Sequence, residues 1–259
     1  MAKVAIIGGT GVYDPSILGE VKDVALETPY GKMSAVEGTY KGVEVIFMNR
    51  HGSGHSVPPH MINYRANIWG LKKLGATKVL ATAAVGSLNM NMAPGNFVFP
   101  DQFIEFTKAR KCTFFDGGEM GVVHTDMTRP YCSDIVSNLE MASLLISHTS
   151  HSGGIYVCAE GPRFETPAEI KMYRHMGGDI VGMTSFPEVA LCRELGMCYA
   201  TVAMVTNYAA GVRDVKLTHA EVLEVMAENS ENIKSLLLAT VPLIAGEQSC
   251  GCDASAPKI

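Results

Sequence analysis

Short, nearly continuous apolar runs recur along the chain. They predict strands at Val4–Ile7, Val43–Met48, Lys78–Thr82, Asn96–Phe99, Ile155–Ala159, Ile180–Met183 and Cys198–Val205, each bounded by Gly, Asn or Pro. The longer segments between them predict helices at Asn63–Leu74, Ser133–Ser147, Pro167–His175, Phe186–Leu195 and His219–Leu238. Two of these open on capping signals. Thr166 precedes Pro167, which suits a first helical turn, and Thr218 stands three residues before Glu221, as in a capping box. Strands without a polar face, interleaved with helices, imply a sheet covered on both sides and therefore mostly parallel. With no repeat, low-complexity block or linker, the reading is one α/β domain over residues 1–246. A tail at 247–259 carries Cys250-Gly251-Cys252.

Composition narrows the class. A chain of 259 residues builds one large domain with a substantial core. With 47% hydrophobic and 18% charged residues it is apolar for a soluble monomer, which predicts surface buried between subunits. A net charge of -5 argues against nucleic acid as partner. No apolar run reaches membrane-spanning length and no signal-peptide pattern opens the chain, so a cytoplasmic enzyme is expected. Of seven cysteines, Cys112, Cys132, Cys158, Cys192 and Cys198 read as reduced structural thiols. Cys250 and Cys252 read as a strained disulfide, a redox pair or part of a disordered tail. Two cysteines alone do not complete a tetrahedral zinc site, so no metal is expected.

Ligands of open α/β sheets bind beyond the carboxyl ends of strands, and three such ends carry candidate chemistry. Gly8-Gly9-Thr10-Gly11 follows the first strand. A third glycine at the dinucleotide spacing is missing, so the turn reads as a plain tight turn or a single-phosphate cradle. Asn49-Arg50-His51-Gly52 follows the second; arginine meets phosphate with a planar fork of donors. His51, His55 and His60 lie close together, but with no carboxylate or thiol nearby phosphate contact ranks above metal ligation, and at least one of the three reads as an exposed loop histidine. Thr82-Ala83-Ala84-Val85-Gly86-Ser87 reads as a small-residue turn that lets backbone amides approach an anion or ribose.

In combination these pieces resemble the purine nucleoside phosphorylase family, in its methylthioadenosine phosphorylase branch. The matching blocks are GGTG at 8–11, RHG at 50–52, NYRANIWGLKKLG at 63–75, TAAVGSL at 82–88, PGNFVFPDQFI at 94–104, EGPRFET at 160–166, GMTSFPEVALCRELG at 182–196 and YATVAMVTNYAAG at 199–211. They occur in family order over almost the whole chain. The resemblance implies a single α/β domain with a central mixed, mostly parallel sheet flanked by helices. It implies trimers or hexamers whose sites borrow from a neighbour, and cleavage of a purine nucleoside by inorganic phosphate with no metal or organic cofactor. By motif match, phosphate contacts fall to Thr10, Arg50, His51, Ala83, Ala84 and Thr184, with Ala83 where the methylthioadenosine branch has a threonine. Met183 falls under the ribose, Phe164 against the purine, and His124 reaches a neighbouring subunit's pocket near the 5′ group. Relatives from hot environments can carry disulfides, including a C-terminal Cys-x-Cys.

Four positions depart from the methylthioadenosine pattern. That branch has aspartates at 207 and 209, a small serine at 165 and an apolar residue at 219. This chain has Asn207, Ala209, Glu165 and His219. A carboxylate accepts the N1–H of hypoxanthine or guanine and is repelled by the N1 lone pair of adenine. A carboxamide donates to O6 or N7, and an imidazole hydrogen-bonds a 5′-hydroxyl. The expectation is therefore a 6-oxopurine nucleoside phosphorylase acting on inosine and guanosine in purine salvage. Asn207 stabilises the leaving base, and Glu165 and His219 set specificity. Val222 and Leu223 keep the 5′ region partly apolar, so phosphorylases of 5′-methylthioinosine and, behind it, 5′-methylthioadenosine are the alternatives. A dinucleotide oxidoreductase lacks its third glycine and its acidic residue, and a non-catalytic nucleoside binder would not need Arg50 and His51.

Overall fold

The computed structural model describes residues 2–8, 14–52, 54, 56–214, 217–247 and 249–255. Eleven strands and five α-helices follow in chain order: β1 (Lys3–Gly8), β2 (Gly19–Thr28), β3 (Gly31–Tyr40), β4 (Val43–Asn49), α1 (Tyr64–Lys73), β5 (Ala76–Ser87), β6 (Phe97–Phe99), β7 (Gln102–Phe106), α2 (Ser133–Leu145), β8 (Ser150–Ser152), β9 (Ile155–Ala159), α3 (Pro167–His175), β10 (Ile180–Gly182), α4 (Ser185–Glu194), β11 (Cys198–Tyr208) and α5 (His219–Ile244). All strands join one mixed sheet in the order β2-β3-β4-β1-β5-β10-β9-β7, with β11 on β5 and β6, and β8 on β6. The spine β4-β1-β5-β11 is parallel, and β10, β9 and β7 run parallel to one another. Both foreseen caps form: Thr166 with Glu169, and Thr218 with Glu221, make reciprocal capping boxes.

β11 shows why continuous apolar runs belong in the centre. Cys198, Ala200, Val202 and Met204 pack into one core with α2 and α5, while Tyr199 packs into a second with α1 and α4. Alternate side chains thus serve opposite helical layers, so neither face of the strand is polar.

Four strands escape the apolar-run reading for a common reason: they are wet or very short. β2 is exposed or half-exposed throughout, and β3 buries chiefly Met33, Ala35 and Val36; the pair forms an antiparallel hairpin at the sheet edge. β7 is half-exposed and β8 is the polar triplet Ser150–Ser152. The expectation of a turn at Thr82–Ser87 is corrected. β5 runs unbroken to Ser87, because β11 pairs with it through Ser87 and β10 pairs with Gly86 and Ser87, and ladders on both sides outweigh the weak strand preference of Ala and Gly.

The C-terminal segment is not detached from the domain as far as it is described. Ser249 Oγ donates to Asp134 Oδ2 at the start of α2, 2.6 Å away, and Cys252 is buried in the core shared by α2, β11 and α5. Among the described residues no helix is long and apolar enough to cross a membrane.

Candidate active site

A cavity of about 410 Å³ opens beyond the carboxyl ends of β4, β5, β9, β10 and β11, where such sheets bind ligands. It gathers Arg50, His51, Ala83, Ala84 and Thr184 from the expected phosphate set. From the expected nucleoside set it gathers Phe164, Glu165, Met183, Asn207, Ala209 and Val222. His124 lies on an exposed loop outside this lining. Thr10 lies outside the described residues, as do His55 and the side chain of His219, whose backbone opens α5. His60 is exposed and not part of the cavity lining, although Pro58 and Pro59 beside it are, and no metal-ligating group of histidines forms among the described residues.

At one end the guanidinium of Arg50 is held from behind. Its Nε and Nη2 donate to the two carboxylate oxygens of Glu188, the second at 3.0 Å, and its Nη1 donates to the Thr82 carbonyl at 2.7 Å. Both side chains are 1% exposed. Burial opposes the arginine's charge, but the adjacent Glu188 carboxylate outweighs it and holds the pKa above its ordinary value. The Tyr199 hydroxyl donates to Glu188 Oε2 at 2.8 Å. A planar, permanently charged fork is thereby fixed at the cavity wall, which is what orienting an oxyanion requires. The His51 ring presents Nδ1 to the Val57 carbonyl at 2.9 Å; a carbonyl only accepts, so that nitrogen carries a proton. Thr184, buried, immediately precedes α4, which is broken by the extended backbone of Phe186, and its side chain makes no capping bond.

Glu165 and Asn207 belong to the same lining. Burial pushes the Glu165 carboxyl above its usual range; a bond from its own backbone amide and the charge of Arg163 act the other way, and neighbouring Glu169 adds to the rise. Asn207 Oδ1 accepts from the Thr206 hydroxyl at 2.9 Å and Nδ2 donates to the Tyr208 carbonyl at 2.9 Å, so the amide is oriented by its sequence neighbours. A β-bulge stands immediately before it. β11 pairs Val205 with Val85 and then Asn207 with Gly86, leaving Thr206 as the extra residue. Thr206 and Asn207 both line the cavity, with Asn207 held opposite Gly86. Gly86 leaves room for this: a Cβ there would stand 3.3 Å from Asn207 Nδ2 and 3.4 Å from Ala209.

Three supports stand behind the lining residues. Arg110, its side chain 1% exposed, donates through Nη1 to the carbonyls of Met183 and Phe186, each at 2.7 Å. Through Nη2 it reaches the carbonyls of Ala159 and Glu160 at 3.2 and 2.8 Å. One side chain thus ties together the two turns that carry Met183, Thr184 and Glu165. Nothing in the loop sequence around Arg110 signals this, because most of its partners are backbone carbonyls, joined by the Tyr64 hydroxyl at 3.2 Å and the Glu160 carboxylate at 3.7 Å. Glu188 did leave a signal: a carboxylate in a helix otherwise occupied by Val189, Ala190, Leu191 and Cys192 demands a buried cation. A third support is steric. A Cβ on Gly182 would come within 2.0 Å of the Tyr156 hydroxyl, which accepts from the Thr184 amide at 3.5 Å.

The phosphorylase superfamily profile matches residues 3–242. A probable 6-oxopurine nucleoside phosphorylase of Moorella thermoacetica is 53% identical over 257 residues, covering 99% of each chain. The 6-oxopurine nucleoside phosphorylase of Pyrococcus furiosus is 52% identical over 257 residues, covering 97% of each. Among solved structures, the methylthioadenosine phosphorylase of Schistosoma mansoni in complex with adenine superposes with a TM-score of 0.92 at 35% identity, covering 98% of this chain and 96% of that one.

Proposed function

This chain belongs to the phosphorylase superfamily, and from that premise we propose that it is a 6-oxopurine nucleoside phosphorylase. It splits inosine and guanosine with inorganic phosphate to the free base and α-ribose 1-phosphate. The observation that carries the reading is that Glu165 and Asn207 line one cavity with Arg50 and Thr184. Relatives about half identical over their full length bear the same name.

Phosphate, held by Arg50 with Thr184 and the backbone at Ala83–Ala84, attacks C1′ of the ribose. An oxygen–carbon bond forms as the C1′–N9 bond breaks, and the bonding pair leaves with the purine. Positive charge grows on the ribose beside the anion and negative charge on the base. Asn207, which has one amide proton not given to Tyr208, donates to O6 or N7 of the departing base. Glu165 accepts N1–H, a contact only a 6-oxopurine offers; a mismatched buried pair costs about 1–3 kcal/mol. No metal or organic cofactor takes part. His219 meets the 5′-hydroxyl. The chain works in the cytoplasm as a homotrimer or homohexamer in which His124 completes a neighbour's 5′ pocket. Exposed Val122, Met141, Leu144 and Leu145 supply apolar surface for such contacts.

A second reading rests on Val222, an apolar residue in the cavity lining: the 5′ group is a methylthio group, on inosine or on adenosine. The deciding experiment measures base release from inosine, guanosine, adenosine, methylthioinosine and methylthioadenosine, with and without phosphate. Phosphate-dependent cleavage of inosine and guanosine, with methylthioadenosine poor, is expected. Preference for methylthioadenosine overturns the base-recognition argument, and phosphate-independent release overturns phosphorolysis itself.

A further inference from the structure

Four thiols meet at the end of the sheet opposite the cavity. Cys132 caps the N-terminus of α2, Cys198 opens β11, and Cys250 and Cys252 return from beyond α5. The sequence reading counted only the last two and expected no metal. The fold adds the other pair: the Cys132 amide donates to the Tyr199 carbonyl at 2.8 Å, which sets the start of α2 against the start of β11. Ser249 then pins the terminal segment to Asp134. All four sulfurs lie within 4.8 Å of one another, and Cys250 Sγ stands 3.5 Å from Cys132 Sγ and 3.3 Å from Cys198 Sγ. Disulfides would sort them into pairs at about 2.05 Å. Four sulfurs each about 2.3 Å from one tetrahedral ion stand about 3.8 Å apart. The mutual convergence of all four, with Cys250 equally close to two others, is that of a shared centre.

We propose that Cys132, Cys198, Cys250 and Cys252 form a tetrathiolate site for a structural zinc ion. On binding, the four thiols release their protons to solvent as four Zn–S bonds form; zinc stays divalent, nothing is oxidised, and the centre carries two net negative charges. The N-terminal end of α2 meets that charge at Cys132, and the Lys78 ammonium lines the adjoining cavity with Cys132, Cys198 and Cys250, alongside the carboxylates of Asp134 and Glu247. Cys132, Cys198 and Cys252 are buried and Cys250 half-buried, as a closed four-ligand site requires. The centre is not catalytic. Cys198 and Asn207 stand at opposite ends of β11, roughly 30 Å apart at the usual rise per residue. Its work is to lock the C-terminal segment onto α2 and β11.

The test uses the full chain expressed with zinc and purified under reducing conditions. One zinc per chain is expected, with X-ray absorption showing four sulfur neighbours at about 2.3 Å. Cobalt exchanged into the site should show the visible bands of a tetrahedral thiolate complex. The Cys250→Ser/Cys252→Ser variant should lose the metal and melt at a lower temperature while cleaving inosine as fast as the parent at moderate temperature. Absence of stoichiometric zinc together with failure of the reduced protein to take up cobalt would overturn the proposal. So would an intact mass lower by four hydrogens in the protein as isolated, which means two disulfides.

Discussion

Glu188 is buried and Glu165 half-buried, and their partners differ. Glu188 has a guanidinium on both oxygens; Glu165 has burial and little to offset it, so its pKa rises above 4.5. The sign follows from which form burial penalises. Between the unfolded and folded pKa values the folded state holds a proton the unfolded state has lost, so the penalty grows as pH rises through that window and is absent below it. Glu165→Gln should therefore melt above the wild type at neutral pH, with the difference vanishing in acid. The KM for inosine in the wild type should rise as pH falls through the Glu165 pKa, at a pH above 4.5, and this limb should be missing from the variant. Thermal melts and initial rates across pH check both. Glu188→Ala leaves the Arg50 charge buried without its partner. A loss of about 3–5 kcal/mol is expected, read by denaturant melts, and KM for phosphate should rise in whatever folded enzyme remains.

At the scale of elements, β11 decides the site. Removing Thr206 would restore regular pairing with β5, with Asn207 still opposite Gly86, and take away the hydroxyl that orients its amide. The deletion should lower kcat for inosine by about 10²–10³, the usual effect of losing one charge-stabilising donor, with circular dichroism little changed. Wild-type turnover in the deletion would refute the role given to the bulge. Much at this scale was legible beforehand. All five helices and seven strands announced themselves, because a strand buried between two helical layers has no polar face and a capped helix declares its first turn. The β2–β3 hairpin did not, since an exposed edge strand such as Gly19–Thr28 lacks an apolar run. The bulge did not either, because register belongs to the pairing of β11 with β5 and to neither strand alone. The cavity-lining residues were readable by type, whereas Arg110, behind the lining, is defined chiefly by carbonyls that the fold brings to it.

On the scale of the whole molecule, one domain exposes a set of large apolar side chains: Leu144 is 80% exposed, Val122 72% and Leu145 71%. A 27.8 kDa chain with this surface should run in light scattering at three or six times its own mass. Leu144→Lys/Leu145→Lys should lower that mass; a monomer in the parent protein would remove the case for a shared site and with it the part given to His124.

The extra residue in β11 also changes how substitutions along that strand will be felt. From Cys198 to Val205 a size change at one position is answered by α2 and α5, and at the next by the opposite layer, so the partners of compensating changes switch back and forth. At Thr206 the beat slips. A library stepping through the strand should record partners in α2 and α5 for Ala200, Val202 and Met204, then at two consecutive positions no packing partner but a change in turnover. The boundary between residues that keep the protein folded and residues that make it work would be one peptide bond wide.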